Sequence, residues 1–309
     1  MKAFVAGATG VLGSRAVARL VAAGIEVTGA ARSDRNEDLL LRLGAAPLRV
    51  GLFDRDALVG AVSGHDVVLN LATAVPTGER GARRSGWEDH HRIRRQASHN
   101  LVDAALEAGA SRYVQESITL LYADGGDRLL DESAPVQAVA TTSSALDAEA
   151  EAARLARHGG AGVVLRFGTF YGHDSAHTLE EIAAARAGVA AMFGPAGAYR
   201  SSITTDDAAG AAVAALRAPG GTYNVVDDRP LRRSEFVAAL TTAFGMAPLA
   251  LPDDPDLPRE IAFLMRSQRV ANDAFRAATG WSPGSPSAWE GWRAVAGDLG
   301  EAPHRRPAG

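Results

Sequence analysis

The stretch MKAFVAGATGVLG, residues 1–13, opens on an apolar segment, Lys2 to Ala6, that reads as a short buried strand. The SRAVARLVAAG that follows sets Val17, Leu20 and Val21 at helical spacing. Between the two, Gly7, Gly10 and Gly13 stand in a G-x-x-G-x-x-G pattern. That spacing predicts a tight turn, a close backbone approach to a pyrophosphate, and tight packing of helix on strand. A phosphate then rests on the free N–H groups at the helix start, where the helix dipole favours negative charge. A glycine triplet alone is weak evidence in a Gly/Ala-rich chain; its place after a strand and before a helix gives it meaning.

Strand and helix signals alternate onward from this unit. Glu26 to Ala31 reads as a second strand, NEDLLLRLGA as a helix, APLRVGLFD as a strand and turn, DALVGAVSG as a short helix, and Val67 to Ala72 as a fourth strand. Arg112 to Ser117 and residues 162–172 supply further strands. This alternation predicts an α/β protein with a Rossmann-type doubly wound parallel sheet, and ligands bound beyond the carboxyl ends of the strands. At the end of the second strand, where an acid would bind a ribose 2′-OH, stand Ala31 and Arg32. A guanidinium there pairs with a 2′-phosphate, which favours NADP(H) over NAD(H); nearby Asp34 keeps NAD in play.

The 309 residues carry a net charge of −4, no cysteine and an apolar fraction of 47%. Disulfides, thiolate metal sites and cysteine nucleophiles are excluded, and the chain is long enough to bury a substantial core. No apolar run approaches about 18 residues and the N-terminus enters a strand directly, so neither a membrane span nor a signal peptide is expected and the default setting is cytoplasmic. The cluster Arg80, Arg83, Arg84, Arg92, Arg94 and Arg95 is diluted by Glu79, Glu88 and Asp89 and lacks interleaved aromatics, which argues against nucleic-acid binding. Of 32 basic residues only Lys2 is a lysine.

GATGVLG at 7–13, LNLAT at 69–73, YVQES with Tyr122 beyond it, LRFGTFYG at 165–172, SSITTDDAAGA at 201–211, TYNVVDD at 222–228 and the late ATGW stand in the order of one family. The chain resembles the extended, epimerase/dehydratase-like branch of the short-chain dehydrogenase/reductase superfamily. The resemblance implies a dinucleotide-binding core over 1–170 with 201–228 returning to it. A small, mostly helical substrate lobe would comprise 171–200 and 229–300, and 301–309 would form a disordered tail. Trp281, Trp289 and Trp292 are expected to pack that lobe, behind a Pro-rich linker running through Pro258. On the resemblance Gly7, Thr9, Gly10, Val11, Leu12 and Gly13 cradle the pyrophosphate, Arg32 faces the ribose phosphate, and Leu52 and Phe53 border the adenine. Leu71, Ala72 and Thr73 lie along the cofactor, with Phe167, Gly168 and Phe170 near the nicotinamide. Homodimers pairing through helices at about 87–108 and 143–158 are expected on the same ground.

The family's proton relay resembles a tyrosine whose pKa is lowered by a lysine four residues on, with a Ser or Thr holding the same substrate oxygen. Here the aligned stretch, ATTSSALDAEAEA, puts Thr141 and Ala145 at those positions, and Lys2 is committed to the first strand. Catalytic candidates are therefore Ser117, with Thr119 as its competitor, and Tyr122 and Tyr171 on loops expected to face the cleft. His173 and His177, spaced i,i+4, suit a metal if helical, though no third ligand is evident, and His173 is the alternative proton donor. The reading is an NADP(H)-binding enzyme acting on a carbonyl or hydroxyl group of a mostly apolar small metabolite by a non-standard relay. The alternatives are a non-redox cyclase, lyase or isomerase in the same cleft, and a non-catalytic dinucleotide sensor.

Overall fold

The computed structural model describes residues 1–76, 78–81, 83–251, 257 and 261–301. Most of the Pro-rich segment, and the tail from 302 on, lie outside the described residues. A seven-stranded sheet, parallel throughout, forms the centre. Its strands are β1 (Lys2–Ala6), β2 (Glu26–Ala31), β3 (Ala46–Arg49), β4 (Val67–Asn70), β5 (Arg112–Ile118), β6 (Ala161–Phe167) and, after a short β7 (Thr169–Tyr171) and β8 (Ser202–Thr204), β9 (Gly221–Val225). The spatial order is β9-β6-β5-β4-β1-β2-β3. Ala3 to Ala6 of β1 are all buried, as a central strand covered on both faces requires.

The chain builds outward from β1 to β3, then crosses back to lay β4 on the other side of β1. The crevice between β1 and β4 is therefore the topological switch point, where ligands of open α/β sheets bind. One face is covered by α1 (Val11–Ala22), whose Leu12, Ala16, Val17 and Leu20 enter the core. The other is covered by α3 (Arg55–Val62) and by a long helical run after β4. Side chains cap the helix starts: Ser33 Oγ accepts from Asn36 N before α2 (Asp34–Arg42), and Asp54 accepts from Ala57 N before α3.

The helical run comprises α4 (Glu88–Arg92), a π-helical turn (Ile93–Ala97) and α5 (Ser98–Glu107), and it packs beside α6 (Ser144–Arg157). Past β6 the chain adds α7 (Ala176–Arg186), α8 (Thr205–Ala214), α9 (Arg233–Ala243), α10 (Asp273–Thr279) and α11 (Ala288–Asp298). A separate apolar cluster joins Tyr171, Ile182, Phe236, Leu240, Trp292 and Val295, with Trp289 against it. Trp281 departs from the expected placement: its ring packs 5.4 Å from that of Phe275 and joins the main core on the α1 side of the sheet.

Candidate active site

The glycine turn is built for close approach. Gly7 has φ +77°, and a Cβ there would lie 2.6 Å from Ala72 N and Leu71 O at the end of β4. A Cβ on Gly13 would meet Gly7 O at 2.0 Å, so helix and strand pack more tightly than any side chain permits. Gly10 is the exposed N-cap of α1, with no side chain capping the helix and no acid in its first turn. Thr9 is half-buried, Val11 is exposed, and Leu12 turns into the core. The free N–H groups at this helix start and the absence of a side chain over them fit a pyrophosphate.

At the end of β2 Arg32 is exposed and forms no ion pair with any described residue, and Arg35 is likewise exposed and unpaired among the described residues. Asp34 is held by Arg49, which also binds Glu37 at 2.8 Å. The acid nearest the end of β2 is thus already paired. Leu52 is half-buried, and Phe53 keeps 36% of its surface exposed, with the Arg92 guanidinium 3.9 Å over its ring. Leu71 and Ala72 are buried beside Gly7, and Thr73 is exposed. Phe167 is buried against Phe170, their centroids 5.2 Å apart. A Cβ on Gly168 would come within 3.0 Å of the Ser201 carbonyl.

Ser117 lies on the strand expected to carry it, whereas Tyr122 and Tyr171, expected on loops facing the cleft, are buried. Ser117, fully buried on β5, donates from Oγ to Glu149 Oε1 at 2.6 Å. Glu149 receives two hydrogen bonds from Arg166, at 2.8 and 2.7 Å, and Arg166 in turn donates to the Tyr122 hydroxyl at 3.0 Å. Tyr122, also fully buried, donates to Asn224 Oδ1 at 2.7 Å, and burial pushes its pKa up. Burial disfavours the Arg166 charge, yet Glu149 outweighs it and holds the guanidinium protonated. These five side chains form one network tying β5, β6, β9 and α6 together.

Tyr171 points into the second apolar cluster, 5.2 Å from the Trp292 ring and edge-on to Phe236, and burial pushes its pKa well up. Gly291 makes room for its hydroxyl, since a Cβ there would lie 1.9 Å from the oxygen. Thr119 is buried in a short 3-10 turn, Thr119–Leu121.

A polar group that the sequence reading passed over lies beyond the ends of β4 and β5. His90 is buried and its Nδ1 accepts from Ala74 N at 3.4 Å; burial, reinforced by Arg94, pushes its pKa down to about 3. His91 shares a 2.8 Å hydrogen bond with Ser144 Oγ at the start of α6, and burial followed by Arg95 lowers its pKa. Trp87 packs edge-on to His90 and stacks on His91. Arg94, in the π-helical turn, donates from one nitrogen to both oxygens of Glu116 at 2.9 Å, and both partners are buried. The adjacent pair His90–His91 beside Trp87 was the available signal, obscured by the surrounding run of arginines and acids. Both imidazoles are held in the neutral form at ordinary pH. His173 lies outside α7, and His177 pairs with Glu181 at 3.6 Å, so the two histidines share no ligand position.

A model of the NAD-dependent epimerase/dehydratase family matches residues 3–226. The chain belongs to this family. A Streptomyces protein named 3-diazoavenalumate denitrifying reductase is 33% identical over 307 residues, covering 95% of this chain and 98% of that one. A ketoreductase of a farnesylated dihydroquinoline oxide from Stigmatella aurantiaca is 28% identical over 80% of this chain and 74% of its own. Among solved structures, a human epimerase family protein with NADPH superposes with a TM-score of 0.79 at 22% identity, over 97% of this chain and all of the other. The UDP-glucose 4-epimerase of Thermotoga maritima gives 0.81 at 18% identity, over 97% and 98% of the two chains. This family member is an NAD(P)-dependent enzyme of the oxidoreductase/epimerase type, and the glycine turn fits a nicotinamide dinucleotide. Among the described residues no helix is long and apolar enough to cross a membrane.

Proposed function

We propose that the protein is an NADPH-dependent reductase of a small, mostly apolar metabolite, acting on an acceptor whose reduction needs no proton from a tyrosine–lysine pair. The observation carrying this reading is the fate of the chain's phenols and its one lysine. Lys2 sits at the outer end of β1, with Nζ 3.0 Å from Glu26. Tyr113, Tyr122 and Tyr171 are fully buried, Tyr223 donates to the Pro219 carbonyl, and Tyr199 lies against the guanidiniums of Arg232 and Arg269. With His90 and His91 held neutral, the site offers weak general acids for protonating a substrate oxygen.

A diazo acid is an acceptor that tolerates this. Its reduction joins one hydride and one solvent proton to the substrate and expels dinitrogen, so no positioned acid has to protonate an alkoxide. The full-length Streptomyces relative is named for such a conversion. The bound dinucleotide supplies the hydride. The chain's part is to hold it by the glycine turn, to bind the 2′-phosphate with Arg32 and Arg35, and to orient the acceptor beyond β4 and β5. Asp34, engaged by Arg49, leaves the phosphate unopposed.

The test is to mix the purified protein with NADPH and either an aryl diazo carboxylate or the matching aryl ketone. Nicotinamide absorbance and dinitrogen release are followed together. Equimolar NADPH loss and dinitrogen, with the ketone inert, is the expected result. Product without NADPH loss would instead establish the non-redox reading, and faster turnover of the ketone would overturn the choice of acceptor.

A further inference from the structure

We infer that a divalent transition-metal ion binds on His173, Asp206 and Asp298, in the cavity between the loop after β7, the start of α8 and the end of α11. The inference is independent of the reaction proposed above. One ligand atom from each of the three residues lies within 4.8 Å of the others, and His173 Nδ1 is 3.1 Å from Asp298 Oδ2. Side-chain shifts of about an ångström bring such a set to metal–ligand distances near 2 Å. A cavity of about 90 Å³ adjoins them, lined also by Gly172, Thr205 and Gly291, so an ion and its waters have room.

A second observation points to a ligand. Thr205 lines the same cavity, is fully buried, and its Oγ1 has no hydrogen-bond partner. Gly172, another lining residue, stands directly against that oxygen, since a Cβ there would lie 2.2 Å from it. A buried hydroxyl without a partner calls for one, and a water on an ion held by the three ligands supplies it.

The charges agree. Asp206, Asp207 and Asp298 line the cavity and Asp174, next to His173, pairs with Arg15, against the guanidiniums of Arg15 and Arg19. Both arginines approach Oδ1 of Asp206, at 3.4 and 3.7 Å. Two carboxylates remain unbalanced, which a doubly charged cation satisfies. One imidazole with two carboxylates suits manganese, iron or zinc better than the all-oxygen preference of calcium or magnesium. An ion here would tie the end of α11 to α8 and, through Asp206 and Arg15, to the first turns of α1.

The experiment is titration of the full chain with Mn²⁺, read by the electron-spin-resonance signal of free ion, and with Zn²⁺ by calorimetry, each with and without NADPH. Saturable micromolar binding of one ion per chain is expected, weakened at least about tenfold by His173→Ala and by Asp298→Asn. His177→Ala, which removes a histidine outside the trio, should leave it unchanged. Asp298 is half-exposed at a helix end, so its variant folds, and a thermal melt of each variant verifies this. No binding at millimolar ion, or equal binding by wild type and both ligand variants, would overturn the assignment.

Discussion

The ribose end and the hydride end of the cleft are built on opposite terms. At the ribose end the structure is local and open: three glycines of one turn, an uncapped helix start, and two unpaired arginines within four residues of each other. At the hydride end side chains are tied to one another over long stretches of chain: Ser117 to Glu149, Tyr122 to Arg166 and Asn224, Arg94 to Glu116, His91 to Ser144. The first end is built to receive a ligand's charge, whereas the second spends its hydrogen bonds on holding its own shape. Proton-transfer chemistry needs a group free to gain and lose a proton, and that is what the second end is short of.

The contrast is broken most sharply at Glu149. Removing it with Glu149→Ala leaves Arg166 buried without a counter-charge, and a loss of about 3 kcal/mol in urea unfolding is expected. A stable variant with activity alone impaired would assign Ser117 and Glu149 to catalysis instead. At the ribose end, Gly13→Ala drives a Cβ into the Gly7 carbonyl. It should cost about 2 kcal/mol and abolish measurable NADPH binding by fluorescence titration.

His90 sharpens the comparison through pH. Its pKa is about 3 in the fold against an ordinary value of 6.5, so the unfolded chain binds more protons between those values. The stability it contributes is complete above about pH 6.5 and falls as pH drops toward 3. Between pH 7.5 and 5 the wild type should lose about 2 kcal/mol more than His90→Gln does. Equal losses would show that His90 is not held neutral. The smallest effect is expected at Arg32, where Arg32→Ala should weaken NADPH about tenfold, about 1.4 kcal/mol, while NADH changes little. Equal weakening of both would remove the 2′-phosphate from its role.

The same contrast explains what the sequence disclosed. The glycine turn, the parallel α/β alternation and the position of Arg32 depend on neighbours within a few residues, and each is legible in the chain. The inward turn of Tyr122 depends on Asn224, and that of Tyr171 on Gly291, both more than a hundred residues away. The neutralisation of Asp34 by Arg49 crosses from the start of α2 to the end of β3. Trp281 read as part of the helical lobe because it is close in sequence to Trp289 and Trp292, but the left-handed turn at Gly280 sends it toward Phe275 instead. His90 and His91 went unread because polar helix faces are usually solvated. Only the approach of Ala74 and Ser144 gives them a setting.

The central claim is that reduction here proceeds without a titrating acid of the tyrosine–lysine kind. The most direct measurement is the pH dependence of single-turnover NADPH oxidation by an aryl diazo carboxylate, with protium and deuterium at the transferred position. A deuterium effect on a rate that stays flat from about pH 6 to 9 is expected, because no tyrosine–lysine pair serves the step. A rate that titrates with a single pKa inside that window, or no NADPH oxidation at all, would contradict it.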